Sequence, residues 1–204
     1  MEQTGRMLMR AIARGLGLDE RVFDASFTGG VSTLRLVHYP VRSPDSLARI
    51  SDPNLWVSHD GAKAYVTGAP HADSGLVTLL AQDGVSGLQA KAQDGRWIDV
   101  PPMENTLAVN FGRLLERWTG GRIKATLHRV IGWGEERYSV PFFYEPRVDA
   151  LIAPLSLPAM DGMAAPAFAP FLYGDHVGAA TTKFVEFAGM ENLRPPRGPP
   201  AQRQ

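Results

Sequence analysis

Between residues 31 and 143 the chain is a succession of short β-prone runs, at 31–39, 76–81, 88–92, 96–100, 106–111, 125–131 and 137–143. Gly, Pro, Asp and Asn separate them, in turn signals such as Gln82-Asp83-Gly84 and Gln93-Asp94-Gly95. Strand-length runs with this punctuation predict the packed sheets of a sandwich or barrel. The core is therefore expected to be mainly β.

Helical spacing is confined to the flanks. Met7, Leu8, Ile12 and Leu16 define an amphipathic first helix, with Gly15 and Gly17 to end it. Residues 42–61 read as a polar loop with one helical turn near 46–50. Residues 179–190 read as a last helix, and Asp175 as an N-terminal helix cap beside His176. Four regions follow: a helical remnant at 1–30, the β core at 31–153, a C-terminal extension with a helix at 154–193, and a disordered Pro- and Arg-rich tail at 194–204.

Charge narrows the partners. Lys plus Arg and Asp plus Glu number 21 each, so no net field recruits nucleic acid or an anionic membrane. A small molecule is the expected partner. Cysteine is absent, which removes disulfides, thiolate ligands and a cysteine nucleophile, so any metal must sit on His, Asp or Glu. Arg6, Arg10 and Arg14 interrupt the apolar residues of the first helix, unlike a secretion signal, and no window has the length of a membrane span. The expected location is cytoplasmic.

Chemistry-bearing residues recur in one order: His71-Ala72-Asp73, then His128, then Arg137-Tyr138-Ser139. On an extended chain His71 and Asp73 project to the same side, and His128 lies on a later strand. Two imidazoles and a carboxylate are the ligand set of a non-haem Fe(II) site, leaving three octahedral positions open. A His and an Asp two apart are more often a turn feature when they occur alone. Arg137 and Ser139 again share a strand face, where a guanidinium fork and a hydroxyl can hold a carboxylate. The competing reading is an ordinary surface arginine.

The surrounding segments carry a resemblance. They are Leu34-Arg35-Leu36-Val37-His38-Tyr39-Pro40, His71-Ala72-Asp73-Ser74-Gly75-Leu76-Val77-Thr78-Leu79-Leu80, Gln82-Asp83-Gly84-Val85-Ser86-Gly87-Leu88-Gln89, Trp97, Leu107-Ala108-Val109-Asn110-Phe111-Gly112, His128-Arg129-Val130, and Arg137-Tyr138-Ser139-Val140-Pro141-Phe142-Phe143. In this order, across roughly residues 31–145, the chain resembles the isopenicillin N synthase-like family of Fe(II)/2-oxoglutarate-dependent oxygenases.

That resemblance implies a double-stranded β-helix, or jelly roll, with a few flanking helices. It implies Fe(II) on His71, Asp73 and His128, 2-oxoglutarate held by Arg137 and Ser139, and Tyr39 contacting co-substrate or substrate. The implied reaction consumes dioxygen and couples oxidative decarboxylation of 2-oxoglutarate to hydroxylation, desaturation or cyclisation of a small organic substrate. Val37 stands where many users of 2-oxoglutarate have Asn. His38-Tyr39-Pro40 and the 137–143 segment look closer to isopenicillin N synthase, whose clamp takes a substrate carboxylate. The family also carries about a hundred residues before this core, so the chain reads as lacking most of that region. A non-catalytic metal-binding jelly roll is the alternative of another class. A zinc hydrolase ranks last for want of a positioned general base.

The remaining candidates are read as structural. His38 is expected to face away from Tyr39, and His59 to lie at the surface. Trp56, Trp97, Trp118 and Trp133 are expected in the core or at its rim, without the basic clustering of a base-stacking platform. Leu79, Phe142 and Phe143 are expected to line an apolar pocket, and Asn110 to reach the metal region.

Overall fold

The computed structural model describes residues 1–158 and 167–181. The chain opens with α1 (Glu2–Gly15) and the single turn α2 (Asp24–Phe27). Then come β1 (Thr33–Leu34), β2 (Val37–Tyr39), α3 (Pro44–Ala48), a 3-10 turn at Pro53–Leu55, β3 (Trp56–His59) and β4 (Ala62–His71). They are followed by β5 (Val77–Gln82), β6 (Leu88–Lys91), β7 (Trp97–Asp99), β8 (Ala108–Phe111) and α4 (Arg113–Trp118). Next are β9 (His128–Gly132), β10 (Arg137–Tyr144), β11 (Leu151–Ile152), β12 (Phe171–Leu172) and α5 (Tyr173–Thr181). No helix among the described residues is long and apolar enough to cross a membrane.

Among the described residues all strand pairs are antiparallel, and they form two five-stranded sheets and a ribbon of β11 with β12. One sheet runs β1-β10-β5-β8, with β2 also on β10; the other runs β3-β4-β9-β6-β7. From β4 onward the chain crosses between sheets at nearly every step. Strands β4, β6 and β9 lie in one sheet, and β5, β8 and β10 in the other. This winding is a double-stranded β-helix, as the resemblance implied.

Period-two alternation gives the first sheet two different faces. Val77 and Tyr144 turn outward into a core with Met9, Ile12 and Ala13 of α1, Phe23, Phe27, and Leu114, Leu115 and Trp118 of α4. Thr78, Leu80, Arg137, Ser139, Pro141 and Phe143 turn inward, toward Gly68, Leu88, His128 and Val130 of the opposing sheet. Helices thus seal one face and leave the other for a site.

Several sequence expectations shift. The 31–39 run breaks into β1 and β2. Strands β3 and β4 were not expected: 42–61 read as loop, and Gly68 and Pro70 disguise β4. Those residues coincide with two register irregularities against β9, where bulges tolerate them. Asp175 lies inside the first turn of α5 rather than capping it. Most of the helix expected at 179–190, and the tail at 194–204, lie outside the described residues.

Helix α1 lies so close to the sheet that a Cβ on Gly5 would fall 2.6 Å from Cγ of Tyr144. That ring is 1% exposed and stacked on Phe27 at 4.5 Å, so it has nowhere to go. Helix propensity alone would favour alanine by about 1 kcal/mol. The overlap costs about 1–3 kcal/mol and should win. Gly5→Ala is therefore expected to lower the denaturation midpoint; a raised midpoint would show that α1 is not seated on Tyr144.

Candidate metal centre

The bulges in β4 bring His71 directly opposite His128 of β9, with ring centroids 4.3 Å apart. Each ring is oriented by its own strand. His71 Nδ1 donates to the Ala69 carbonyl at 2.8 Å, and His128 Nδ1 to the Thr126 carbonyl at 2.9 Å. A carbonyl only accepts, so the Nδ1 atoms carry the protons and the Nε2 atoms present the metal-binding edge. Those edges face Asp73 Oδ1, at 3.5 Å from His71 and 3.8 Å from His128.

Asp73 divides its two oxygens. Oδ2 accepts from Thr78 Oγ1 at 2.5 Å and from Asn110 Nδ2 at 2.7 Å. Oδ1 is left facing the imidazoles. Burial by itself pushes this carboxyl up, but the hydrogen bonds from His71, Thr78 and Asn110, with His128 nearby, outweigh it and hold the pKa at about 2. His71 is shifted upward in turn, chiefly by its interaction with Asp73. Asn110 reaches the site as expected. Thr78 was missed, although it lies five residues beyond Asp73 on the inward face of β5.

The turn after Asp73 is gripped by its surroundings. Gly112, Arg113 and Leu114, at the start of α4, donate their backbone N–H groups to the carbonyls of Leu76, Asp73 and Gly75 at 2.8, 2.8 and 3.1 Å. Those are helix-start donors that would otherwise lack partners. The Ser74 carbonyl lies 3.0 Å from His176 Nε2. On the other side is Glu145, whose carboxyl accepts from the Leu76 N–H and from Tyr173 Oη at 2.6 Å. Burial pushes Glu145 up to about 8. A Cβ at Gly75 would overlap Glu145 Oε1, and one at Gly112 would overlap the Gly75 carbonyl, so both glycines are dictated by contact.

The three candidate ligands share a cavity of about 220 Å³ with Tyr39, Arg137 and Ser139. Arg137 is 3% exposed. Its Nη2 donates to Gln82 Oε1 at 3.0 Å, its Nε to the Val85 carbonyl at 3.3 Å, and the guanidinium lies 5.0 Å from the Tyr39 ring centre. Nη1 is buried and has no hydrogen-bond partner among the described residues. A buried donor without a partner costs about 1–3 kcal/mol, so Arg137 keeps one donor in reserve for an acceptor. Ser139, 4% exposed, adds a hydroxyl on the same strand face.

Other expectations divide. Phe143 lines the cavity, whereas Phe142 and Leu79 do not; Phe142 packs toward the helical core, and Leu80 and Leu88 line the cavity instead. Alternation along β5 and β10 would have shown this. His38 faces away, stacked on Tyr138 at 4.5 Å, with Nε2 2.7 Å from Glu136 Oε1. His59 is not a simple surface residue. With Asp60 and Asp99 it forms a second group able to hold a metal by distance alone. Gln89 argues otherwise: its amide nitrogen donates to Asp99 Oδ1 at 2.9 Å and to His59 Nδ1 at 3.3 Å, while its oxygen accepts from Arg129 Nε at 2.8 Å. The His59 proton is thereby placed on Nε2, toward the carboxylates, where a ligand would need a lone pair.

The donor set therefore fits a divalent ion at His71, Asp73 and His128. Comparison with known proteins agrees with that geometry. The chain is 38% identical over 144 residues to the 2-oxoglutarate-Fe(II) type oxidoreductase hxnY of Emericella nidulans, covering 70% of this chain and 37% of that one. It is 30% identical over 198 residues to gibberellin 2-beta-dioxygenase 4 of Arabidopsis thaliana, covering 95% of this chain and 60% of that one. A Neurospora crassa protein crystallised in complex with alpha-KG and thymine superposes with a TM-score of 0.71 at 33% identity, over 90% of this chain and 54% of that one. The chain thus spans roughly a third to three fifths of the relatives it matches. Residues 32–146, which hold every ligand candidate and the guanidinium, match the sequence pattern of the 2OG-Fe(II) oxygenase superfamily, and the chain belongs to that superfamily.

Proposed function

We propose that the protein is a non-haem Fe(II) dioxygenase that converts 2-oxoglutarate, dioxygen and a small organic substrate into succinate, carbon dioxide and an oxidised product. The observation that carries this reading is the convergence, in one cavity, of three donors with their lone pairs aimed at a common point and a buried guanidinium with an unused N–H. His71 Nε2, Asp73 Oδ1 and His128 Nε2 would hold the metal. When bound, the ion supplies the dioxygen activation that no side chain can perform.

The chain's own contribution is orientation and exclusion of water. Arg137 Nη1 and the Ser139 hydroxyl receive the distal carboxylate of 2-oxoglutarate, and Gln82 and Val85 fix the guanidinium so that one donor remains for it. Tyr39 covers the guanidinium face. Leu80, Leu88, Val130 and Phe143 supply an apolar part of the wall, which limits competing water near the reacting C–H bond. Thr78 and Asn110 keep Asp73 from turning both oxygens to the metal.

An oxidase of the isopenicillin N synthase kind, which does not use 2-oxoglutarate, is the second reading, favoured by His38-Tyr39-Pro40, the 137–143 segment and Val37 beside Ser139. In that arrangement the clamp would take a substrate carboxylate instead. A cytoplasmic location also belongs to the proposal and rests on the composition of the sequence.

Anaerobic addition of 2-oxoglutarate to the Fe(II) protein should produce a visible metal-to-ligand charge-transfer absorption. Arg137→Leu should weaken 2-oxoglutarate binding by roughly a hundredfold, the loss of a charge-assisted hydrogen bond from Nη1 together with its buried charge. No absorption together with no succinate formed would sink the 2-oxoglutarate reading, and unchanged affinity in Arg137→Leu would sink the clamp.

Metal binding should also depend on pH. Fe(II) needs neutral imidazoles, and His71 holds its proton above the ordinary value of 6.5. Affinity is therefore higher at pH 8 than at pH 6, falling as the pH drops through the His71 range. Calorimetric titration with Fe(II) at both values tests this; equal affinity would place the metal off the histidines.

A further inference from the structure

The segment that matches the superfamily ends at residue 146, yet the 73–76 turn beneath the metal ligands is also held from well beyond it. Tyr173 and His176, either side of Asp175, both reach that turn. His176 Nε2 donates to the Ser74 carbonyl at 3.0 Å. Tyr173 Oη donates to Glu145 Oε2 at 2.6 Å, and the Glu145 carboxyl accepts the Leu76 N–H. Oε1 of the same carboxyl lies where a Cβ on Gly75 would have to sit. The three residues after Asp73 thus meet the C-terminal segment, Ser74 directly and the other two through Glu145.

A short ribbon carries that segment to the turn. On β11 and β12, Leu151 lies opposite Leu172 and Ile152 opposite Phe171. Just past them the Tyr173 and Gly174 N–H groups donate to the carbonyls of Ala150 and Val148 at 2.9 and 2.7 Å. Tyr173 is 3% exposed and belongs to the core with Leu76, Trp118 and Ile152. The His176 ring packs near Phe171 and Tyr173, with centroids 6.0 and 6.1 Å away. Glu145 is fixed from its own backbone, whose N–H donates to Ser32 Oγ at 3.1 Å. Both donors are therefore aimed before any ligand arrives.

Their targets complement those of α4. The start of α4 takes the carbonyls of Asp73, Gly75 and Leu76. What it leaves are the Ser74 carbonyl and the Leu76 N–H, and these are the two groups that His176 and the Tyr173–Glu145 pair take up. Thr78 and Asn110 fix how the Asp73 carboxylate is rolled, whereas the turn fixes where its backbone stands. A shift of the turn would swing Oδ1 away from the imidazole edges.

We propose that Tyr173 and His176 are positioning residues of the metal centre: by holding the Ser74 carbonyl and, through Glu145, the Leu76 N–H, they set the aim of Asp73 Oδ1 and hence the affinity for a divalent cation. The proposal rests on the reading of His71, Asp73 and His128 as the ligands. It makes the C-terminal segment a working part of the site. Groups that orient a ligand are worth roughly ten- to a hundredfold in metal affinity.

Mn(II) binding to the full chain, followed by the electron paramagnetic resonance of the unbound ion well below every denaturation midpoint, tests this. Tyr173→Phe deletes one hydroxyl and keeps the ring. His176→Leu deletes a donor, and His176→Gln keeps an N–H in the place of Nε2. Tyr173→Phe and His176→Leu should each weaken Mn(II) binding by about tenfold, and His176→Gln should retain most of the affinity. Met9→Ala truncates a core residue of α1 that is 2% exposed; it should lower the midpoint and leave Mn(II) affinity unchanged. Unchanged affinity in Tyr173→Phe or His176→Leu overturns the proposal. So does a His176→Gln variant as weak as His176→Leu, or an equal loss in Met9→Ala, which would reduce the effect to a softened core. Failure of the unmodified protein to bind Mn(II) would instead strike the metal centre itself. Amide hydrogen exchange at Leu76 in the metal-free protein then still decides the grip: faster exchange in Tyr173→Phe than in Met9→Ala supports it, and equal exchange overturns it.

Discussion

A carboxylate withdrawn from water is unfavourable by several kcal/mol unless its lone pairs find donors. Asp73 is 11% exposed at its side chain and nevertheless ionised, and the architecture around it exists to make that state stable. Thr78 comes from β5 and Asn110 from β8, neighbours in register on the inward face of one sheet. The imidazoles come from β4 and β9 in the other sheet. The carboxylate therefore ties the two sheets together at the point where a cation would complete the charge balance.

The backbone under Asp73 is held as firmly as its oxygens. The amino end of α4 takes up the carbonyls of the 73–76 turn, Glu145 takes its Leu76 N–H, and Gly75 and Gly112 permit the close approach. Helix α4 also buries Leu114, Leu115 and Trp118 in the core that seals the outer face of the sheet. Packing on the far side of the sheet is thus coupled mechanically to the aim of one carboxylate oxygen. A site held within a fraction of an ångström needs this kind of support.

Much of this was legible in the residues. The strand-length runs announced the β core, and His71, Asp73, His128, Arg137 and Ser139 converge on one cavity as their spacing suggested. What escaped was set by tertiary context. Strand β4 carries Gly68 and Pro70, which argue locally against a strand and survive only because bulges against β9 absorb them. Leu79 and Phe142 looked equivalent to Leu80 and Phe143 until pairing fixed which residues face inward. The polar network of His59 depends on Gln89, Asp99 and Arg129, from strands distant in sequence, and no local pattern reveals it.

The most direct test of the central claim is a crystal structure of the protein with Mn(II) in place of Fe(II), with anomalous scattering to locate the ion. The account predicts one ion bound by His71 Nε2, His128 Nε2 and a single oxygen of Asp73, Oδ1, with Oδ2 still hydrogen-bonded to Thr78 and Asn110. An ion at His59 and Asp99 instead, or one chelated by both oxygens of an Asp73 that has released Thr78 and Asn110, would contradict it.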